Sequence, residues 1–269
     1  MKKSESFFKE IIKNRKLIYQ LSKNDFKTRF AGSYLGIVWA FVQPVITVLV
    51  YWFVFQVVFK SGDWNGYPFV LGLMAGLVPW FYFSEAFLSA TNSLIEYSYL
   101  VKKVVFQINI LPIIKIVSSM FVHIFFLAFT IVIFGLNGYF PNLYTLQLIY
   151  YLFAMVMFIV GMAYITSALS VFIRDLLQLI NVFMQVWMWM TPIMWNADTL
   201  LGGNGKVVML LKLNPLYYIV QGYRDSLMNH IWFWEHPFYT VCYWVFVIGI
   251  MFIGTKVFKK LKVHFADVL

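Results

Sequence analysis

Apolar residues dominate six long stretches of the chain, and polar residues gather in the segments between them. Crossing the hydrocarbon core of a bilayer takes about 20 mostly apolar residues in helical conformation. Each stretch is close to that length, so the pattern predicts an all-α polytopic membrane protein with six transmembrane helices. The predicted spans are residues 35–59, 68–92, 111–135, 146–170, 176–195 and 238–258.

The only charged residues from 146 to 195, across the fourth and fifth spans, are the pair Arg174–Asp175, within the stretch SVFIRDLLQLI. Two interpretations compete: a buried ion pair inside one long helix, or a turn in water between two spans. Residues 146–195 would form a helix about 75 Å long at 1.5 Å per residue, whereas one bilayer core is about 30 Å thick. The chain therefore has to cross twice, and the pair is predicted to lie in a turn.

The N-terminal segment carries a different pattern, in which large apolar residues recur at helical spacing and lysines and arginines fill the gaps. This is typical of an amphipathic helix lying on a membrane surface. The predicted organisation is a cytoplasmic interfacial segment 1–34, one transmembrane domain 35–258 and a cytoplasmic tail 259–269. The apolar residues that recur at helical spacing in the N-terminal segment are Phe7, Phe8, Ile11, Ile12, Ile18 and Tyr19.

Residues 196–237, between the fifth and sixth spans, are too interrupted to form another span. Proline suits the first turn of a helix, so Asn214 followed by Pro215 indicates a helix start. We expect two short re-entrant helices here that dip into the outer leaflet.

Composition and charge agree with a membrane protein. Only 12% of the residues are charged and the mean hydropathy is +0.77, whereas a soluble domain carries about 25% charged residues. A net charge of +10 also fits a nucleic-acid-binding protein, but here membrane-length apolar runs separate the basic residues. With six spans, 17 of the 21 lysines and arginines lie on one side. The positive-inside rule makes that side the cytoplasm, so we expect cytoplasmic termini and no nucleic-acid partner.

No stretch of the sequence has the pattern of a catalytic or nucleotide-binding site. A P-loop needs glycines, a lysine and a Ser or Thr at fixed spacing so that backbone amides cradle phosphate, and GGNGKVV at 202–208 lacks that arrangement. The four histidines lack metal-ligand spacing, and a single cysteine, Cys242, leaves no intrachain disulfide. We expect this chain to be no enzyme and to bind no metal or cofactor.

Two further features are candidates for function. Glu85 lies inside a span, where a charge costs a few kcal/mol, so it should face protein or water; a structural hydrogen bond and a pathway role both remain open. Spans one and five carry aromatic residues deeper than interfacial belts do. Aromatic faces stack on sugar rings, although core or lipid packing is the alternative for each ring. The candidates are Trp39, Tyr51, Phe183, Trp187 and Trp189.

Five motifs, in this order along nearly the whole chain, resemble the ABC-2 type exporter permeases. They are SYLGIVWAFVQPV, GLVPWFYFSEAF, FIRD, TPIMW and NPLYYIVQGYRDSL. The closest similarity is to the branch that exports O antigen, capsule or teichoic acid linked to undecaprenyl diphosphate. The resemblance implies a homodimer in the bacterial inner or plasma membrane that pairs with two separate ATP-binding subunits. Those subunits, rather than this chain, would bind ATP and magnesium.

The resemblance also implies roles for individual residues. Spans one and five of both copies would line the channel. Lys27 and Arg29, just before span one, are our inferred contacts for the lipid-linked diphosphate, because cationic donors suit phosphate oxygens. The outer gate would contain Pro215, Tyr217, Tyr218 and Arg224. The contacts to the ATP-binding subunits would be Glu96, Tyr97, Lys102, Lys103, Arg174 and Asp175.

Other functions stay open at this point. An ABC-2 permease for a drug or a small lipid would need fewer channel aromatics, and a passive membrane channel would need no ATP-binding subunit. A membrane-embedded glycan enzyme is disfavoured because no catalytic set is present. For Asp175 the alternative to a coupling contact is that its carboxylate caps the N-terminus of span five.

Overall fold

A computed structural model gives the fold, and it describes residues 11–268 apart from 30, 31, 33, 61, 102–106 and 196–210. Within that part of the chain every regular element is helical, as predicted. The principal helices are α1 (Arg15–Arg29), α2 (Gly36–Val58), α3 (Phe69–Glu96), α4 (Leu111–Leu136), α5 (Gln147–Ser170), α6 (Leu176–Met190), α7 (Pro215–Arg224) and α8 (Pro237–Leu261).

Five of the six predicted spans are helices long and apolar enough to cross a membrane: α2, α3, α4, α5 and α8. The fifth predicted span is shorter than expected, because α6 has 15 residues and ends at Met190 rather than 195. Thr191 is extended, with φ −95° and ψ 126°, because the residue before a proline is driven out of the helical region. At 1.5 Å per residue, α6 is about 22 Å long, which is less than the bilayer core.

The helix α3 forms the centre of the bundle. In its most apolar window 78% of the residues are buried, compared with 11% for α2. Around α3, the helices α4 and α5 pack on its sides, and α8 packs on α5. Gly254 of α8 permits that last contact, since a Cβ there would lie 2.5 Å from the carbonyl oxygen of Gly161. The outer helices α2 and α6 are therefore left with much of their apolar surface uncovered.

The N-terminal helix α1 packs against α4. Its buried residues Ile18, Ser22 and Asp25 fall on one face at spacings of four and three, and Ser22 donates to the Ile114 carbonyl at 2.9 Å. Two predicted apolar positions of this segment, Ile12 and Tyr19, are exposed instead. Phe7 and Phe8 lie outside the described residues.

The stretch around Arg174–Asp175 forms a turn, as predicted. Residues 171–175 separate the end of α5 at Ser170 from the start of α6 at Leu176. Both charged side chains are exposed. Asp175 occupies the N-cap position of α6, but its carboxylate accepts no capping hydrogen bond. The structure therefore gives no hydrogen bond to support the alternative in which Asp175 only caps span five.

Candidate functional site

A polar groove of about 650 Å³ opens between α1, α3, α4 and α6. Charged residues gather here, although only 12% of the chain is charged. Three carboxylates and two cations line it, which gives one net negative charge. The lining residues are Asp25, Thr28, Arg29, Glu85, Leu88, Ser89, Asn92, Glu96, Lys115, Leu177 and Asn181.

One wall of the polar groove is a buried ion cluster around Lys115. Its ammonium group donates to Asp25 at 2.6 Å and to Glu96 at 2.5 Å. The Tyr97 hydroxyl donates to the same Asp25 oxygen at 2.5 Å, and the Lys115 ammonium lies 4.9 Å from the Tyr97 ring centroid. The cluster therefore joins α1, α4 and the end of α3.

The cluster shifts the pKa of two of its members. Burial pushes the pKa of Asp25 upward, but hydrogen bonds from Lys115 and Tyr97 and the charge of Lys115 outweigh it and leave the pKa below its usual value. Burial, together with the hydrogen bond to Asp25, raises the pKa of the Tyr97 hydroxyl far above its usual value. Asp25 is therefore a carboxylate and Tyr97 a neutral donor throughout the physiological range.

The polar groove also holds a second ion pair, between Arg29 of α1 and Glu85 of α3. Arg29 Nη1 donates to the Glu85 carboxylate, and Arg29 Nη2 donates to the Ser89 hydroxyl at 3.0 Å. Both residues also line a neighbouring cavity of about 360 Å³, which extends to Trp39 and Gln43 on α2. Glu85 thus faces Arg29 and the two cavities, in agreement with the prediction that it faces protein or water.

The predicted channel aromatics fall into two groups. Trp39, Phe183 and Trp189 are 45%, 53% and 60% exposed. Tyr51 is half-buried and packs against the core. The Trp187 ring points into the bundle, 5.3 Å from the ring of Phe83.

The predicted outer-gate residues belong to α7, which begins at Pro215 as predicted. Asn214 caps this helix by accepting from the Leu216 amide at 3.0 Å. The same Asn214 oxygen accepts from the Trp187 indole at 3.0 Å, so the cap also ties α7 to α6.

Arg224 anchors the other end of α7. The residue is 4% exposed, and its guanidinium donates to the carbonyls of Pro192 and Ile193 at 2.8 and 2.7 Å. It also lies 4.2 Å from the Trp64 ring centroid. Arg224 therefore connects α7 to residues 192–193, just after α6, and to the loop before α3.

Tyr218, in the middle of α7, shares hydroxyl hydrogen bonds with Tyr150 at 2.9 Å and with Thr240 at 3.1 Å. These contacts connect α7 to α5 and α8. Tyr217 is half-buried beside the same helix pair. The segment predicted as an outer gate is therefore packed into the bundle through several side chains.

Comparison with known sequences identifies the family of this chain. Residues 16–228 match the family described as ABC-2 type transporter, which is well over half of the chain. The chain belongs to the ABC-2 type transporter family. Two similar proteins from Klebsiella pneumoniae and one from Myxococcus xanthus are each named O-antigen export system permease protein RfbA.

The similarity to these relatives extends over most of the chain. One Klebsiella protein is 27% identical over 259 residues, which covers 94% of this chain and 95% of the relative. The other is 27% identical over 257 residues, with the same coverage. The Myxococcus protein is 26% identical over 222 residues, covering 82% of this chain and 84% of the relative. The ABC-2 resemblance predicted from the five motifs is confirmed.

The residues predicted to contact ATP-binding subunits occupy two places in this ABC-2 chain. Arg174 and Asp175 form the exposed turn between α5 and α6. Glu96 and Tyr97 lie at the end of α3, where both also join the Lys115 cluster, although Glu96 is about half exposed. Lys102 and Lys103 lie outside the described residues.

The two predicted diphosphate contacts differ in their surroundings. Lys27 is exposed on α1, and it is not among the residues that line the polar groove. Arg29 lines the groove but is paired with Glu85. The structure thus brings Arg29 and Glu85 together, a pairing that the sequence analysis did not propose.

Asp25 and Lys115 were both missed as site residues. Lys115 is one of the 17 basic residues that the sequence analysis assigns to the cytoplasmic side, yet it falls within the predicted span 111–135. A cation inside a span requires a partner, and that signal could have prompted a search for a carboxylate. The partner itself was hidden, because Asp25 lies 90 positions away in the chain.

Proposed function

We propose that this chain is the permease subunit of an ATP-driven exporter that moves a lipid-linked polysaccharide from the cytoplasm across the cell membrane. Two copies pair with two ATP-binding subunits, which supply the nucleotide and magnesium sites. The observation that carries this proposal is the similarity to three O-antigen export permeases over most of the chain. O antigen, capsule and teichoic acid are alternative substrates within this one function.

The uncovered helices support a two-copy channel. In the single chain α2 and α6 leave large apolar side chains exposed on several faces, and exposed apolar patches of this size mark interaction surfaces or lipid contacts. In our proposal α6 and the residues up to Trp195 make the fifth of six crossings. The two copies meet along α2 and α6, where Trp39, Phe183 and Trp189 border the glycan path and Tyr51 and Trp187 support it.

The ends of the molecule have distinct roles in this proposal. The helix α1 lies at the cytoplasmic face of the bacterial inner or plasma membrane, and both termini are cytoplasmic. The turn containing Arg174 and Asp175 and the end of α3 transmit movement of the ATP-binding subunits as a rigid-body shift of the helices. On the outer side, α7 closes the path between export cycles.

The polar groove is the proposed entry site for the head of the lipid carrier. Arg29 within the groove and Lys27, exposed on α1 outside its lining, are the proposed contacts for its diphosphate. The carboxylates and amides of the groove face the first sugars. A hydroxyl-rich glycan can donate to Glu85 and accept from Asn92 and Asn181, all of which line the groove.

Loss of the chain from its host tests the substrate class. We expect lipid-linked polysaccharide to accumulate in the cytoplasmic leaflet and surface polysaccharide to disappear, and the intact gene to restore both. Unchanged surface polysaccharide would contradict the proposal and would leave a drug or a small lipid as the cargo of this ABC-2 permease. Gentle-detergent purification provides a second test, since failure to recover any ATP-binding subunit would favour a passive channel.

A further inference from the structure

We propose that the Glu85 carboxylate occupies the diphosphate position on Arg29 in the empty permease, and that the lipid-linked diphosphate must displace it to bind. This inference rests on the proposed function and adds a competitor to its substrate site. The chemistry recognised is a diphosphate carried by a lipid, and the competitor is a side chain of the same molecule.

Both terminal nitrogens of the Arg29 guanidinium already donate a hydrogen bond within the chain. One terminal nitrogen donates to Glu85 and the other to the Ser89 hydroxyl at 3.0 Å. An arginine fork fits two oxygens of a carboxylate or a phosphate in the same way. A phosphate oxygen can therefore take the place of the Glu85 oxygen without a change in the direction of the Arg29 side chain.

The second cation of the groove is not available to an anion. Lys115 is 3% exposed and is held between Asp25 and Glu96 at 2.6 and 2.5 Å. Of the two cations among the described residues that line the groove, Arg29 is the more accessible, with 24% of its side chain exposed. The lining has a net negative charge, so a diphosphate gains a cationic contact in this groove only when Glu85 leaves Arg29.

Space for such a movement lies beside the pair. Glu85 is 45% exposed and borders both the polar groove and the cavity of about 360 Å³ that reaches α2. It lies within the helix α3, 11 residues before the end of that helix. An arginine left unpaired beside a membrane span is costly, so a carboxylate that holds Arg29 in the empty state and yields to substrate avoids an uncompensated charge.

The test measures binding to the purified permease in lipid nanodiscs, with isoprenyl diphosphate and inorganic pyrophosphate as probes. Glu85→Gln keeps the side-chain shape and removes the competing charge, so we expect both probes to bind about threefold to tenfold more tightly. Arg29→Gln should weaken binding, and the double variant should show no gain over Arg29→Gln. Unchanged or weaker binding by Glu85→Gln would overturn the inference, because Glu85 would then only position Arg29.

Glu96→Gln is the matched control, since it removes a negative charge from the same groove but leaves the Arg29–Glu85 pair intact. An equal gain in both variants would reduce the effect to general electrostatics and would also overturn the inference. If Glu85→Gln does not purify as a folded protein, Glu85→Ala serves the same purpose beside the existing cavity.

The two probes separate the lipid headgroup from a free diphosphate. Isoprenyl diphosphate should bind more tightly than pyrophosphate, and equal affinity would refute the lipid assignment. The failure of this inference is distinct from failure of the proposed function. Polysaccharide export that requires the chain and Arg29, together with unaltered probe binding by Glu85→Gln, would reject only the displacement.

Discussion

Lys115 of α4 and Asp25 of α1 form a 2.6 Å ion pair, and each side chain is only 3% exposed. The pair holds the N-terminal helix against the bundle at the edge of the polar groove. A buried pair contributes little net stability compared with apolar residues, but removing one partner leaves an uncompensated buried charge. The attachment of α1 therefore depends on both residues being present.

Lys115→Met should lower the free energy of unfolding by about 3–5 kcal/mol, measured by thermal or denaturant unfolding in detergent. Asp25 is then buried without its cation, whereas the more exposed Glu96 can turn toward water. The double variant Lys115→Met with Asp25→Asn should recover most of the loss. Lys259→Met, at an exposed position near the end of α8, is the control and should stay within about 0.5 kcal/mol of the unaltered protein.

The docking of α1 should respond to acid but not to changes near neutral pH. The pKa of Asp25 is lowered in the folded protein, so its contribution is present above the unfolded value of about 3.9 and is lost as pH falls through the folded value. Hydrogen exchange of the amides in α1 should be constant, after correction for intrinsic rates, from pH 8 to 5. Protection should fall only below about pH 4, and Asp25→Asn should remove that acid-dependent step. A loss of protection between pH 7 and 5 would show that another group controls docking.

Gly222 of α7 should not tolerate a side chain. A Cβ there would lie 2.1 Å from the ring of Tyr151, which is itself buried in the core. Gly222→Ala should destabilise the protein by about 1–3 kcal/mol, the usual cost of overpacking, with faster hydrogen exchange across α7. Gly249→Ala is the matched control, because a Cβ at that position in α8 would meet no atom of the described residues within 4 Å, apart from the backbone of its own helix. Equal stability of the two variants would mean that Tyr151 moves aside without cost.

Asp175→Ala should weaken assembly with the ATP-binding subunits while leaving the permease folded. The carboxylate is exposed and makes no capping hydrogen bond, so its loss removes no contact that the structure shows within the chain. We expect the amount of ATP-binding subunit recovered at limiting concentration to fall by about tenfold, as for a moderate interface contact. Asp63→Ala changes an exposed acidic residue in the loop before α3 and should have no effect. Unaltered recovery and export by Asp175→Ala would remove this residue from the interface.

The hydrophobic pattern predicted most of the fold because membrane spans are set by length and composition. The turn at Arg174–Asp175 followed from helix length alone, and the start of α7 followed from Asn214 and Pro215. The end of α6 was placed too late because the apolar run continues to Trp195 while Pro192 ends the helix earlier. The rule that a residue preceding proline leaves the helical region was available from the sequence.

The site was harder to predict because it depends on pairs of residues that are distant in the chain. Arg29 and Lys27 were chosen as cations near a span, but the sequence could not show that Arg29 is paired with Glu85, 56 positions away. Likewise, the aromatic content of span five did not distinguish Trp189, which is exposed, from Trp187, which hydrogen-bonds to Asn214. Helical periodicity gives the faces of a helix but not the neighbour that covers each face.

ATP-dependent movement of lipid-linked polysaccharide by the reconstituted complex tests the central claim most directly. Inside-out proteoliposomes would contain this chain, its ATP-binding subunits and the lipid-linked polysaccharide in the outer leaflet, with a glycosidase added outside after transport. The account predicts that ATP and magnesium make the polysaccharide resistant to the glycosidase, and that a non-hydrolysable analogue does not. Polysaccharide that remains fully digestible with ATP, or becomes resistant without it, would contradict an ATP-driven polysaccharide exporter.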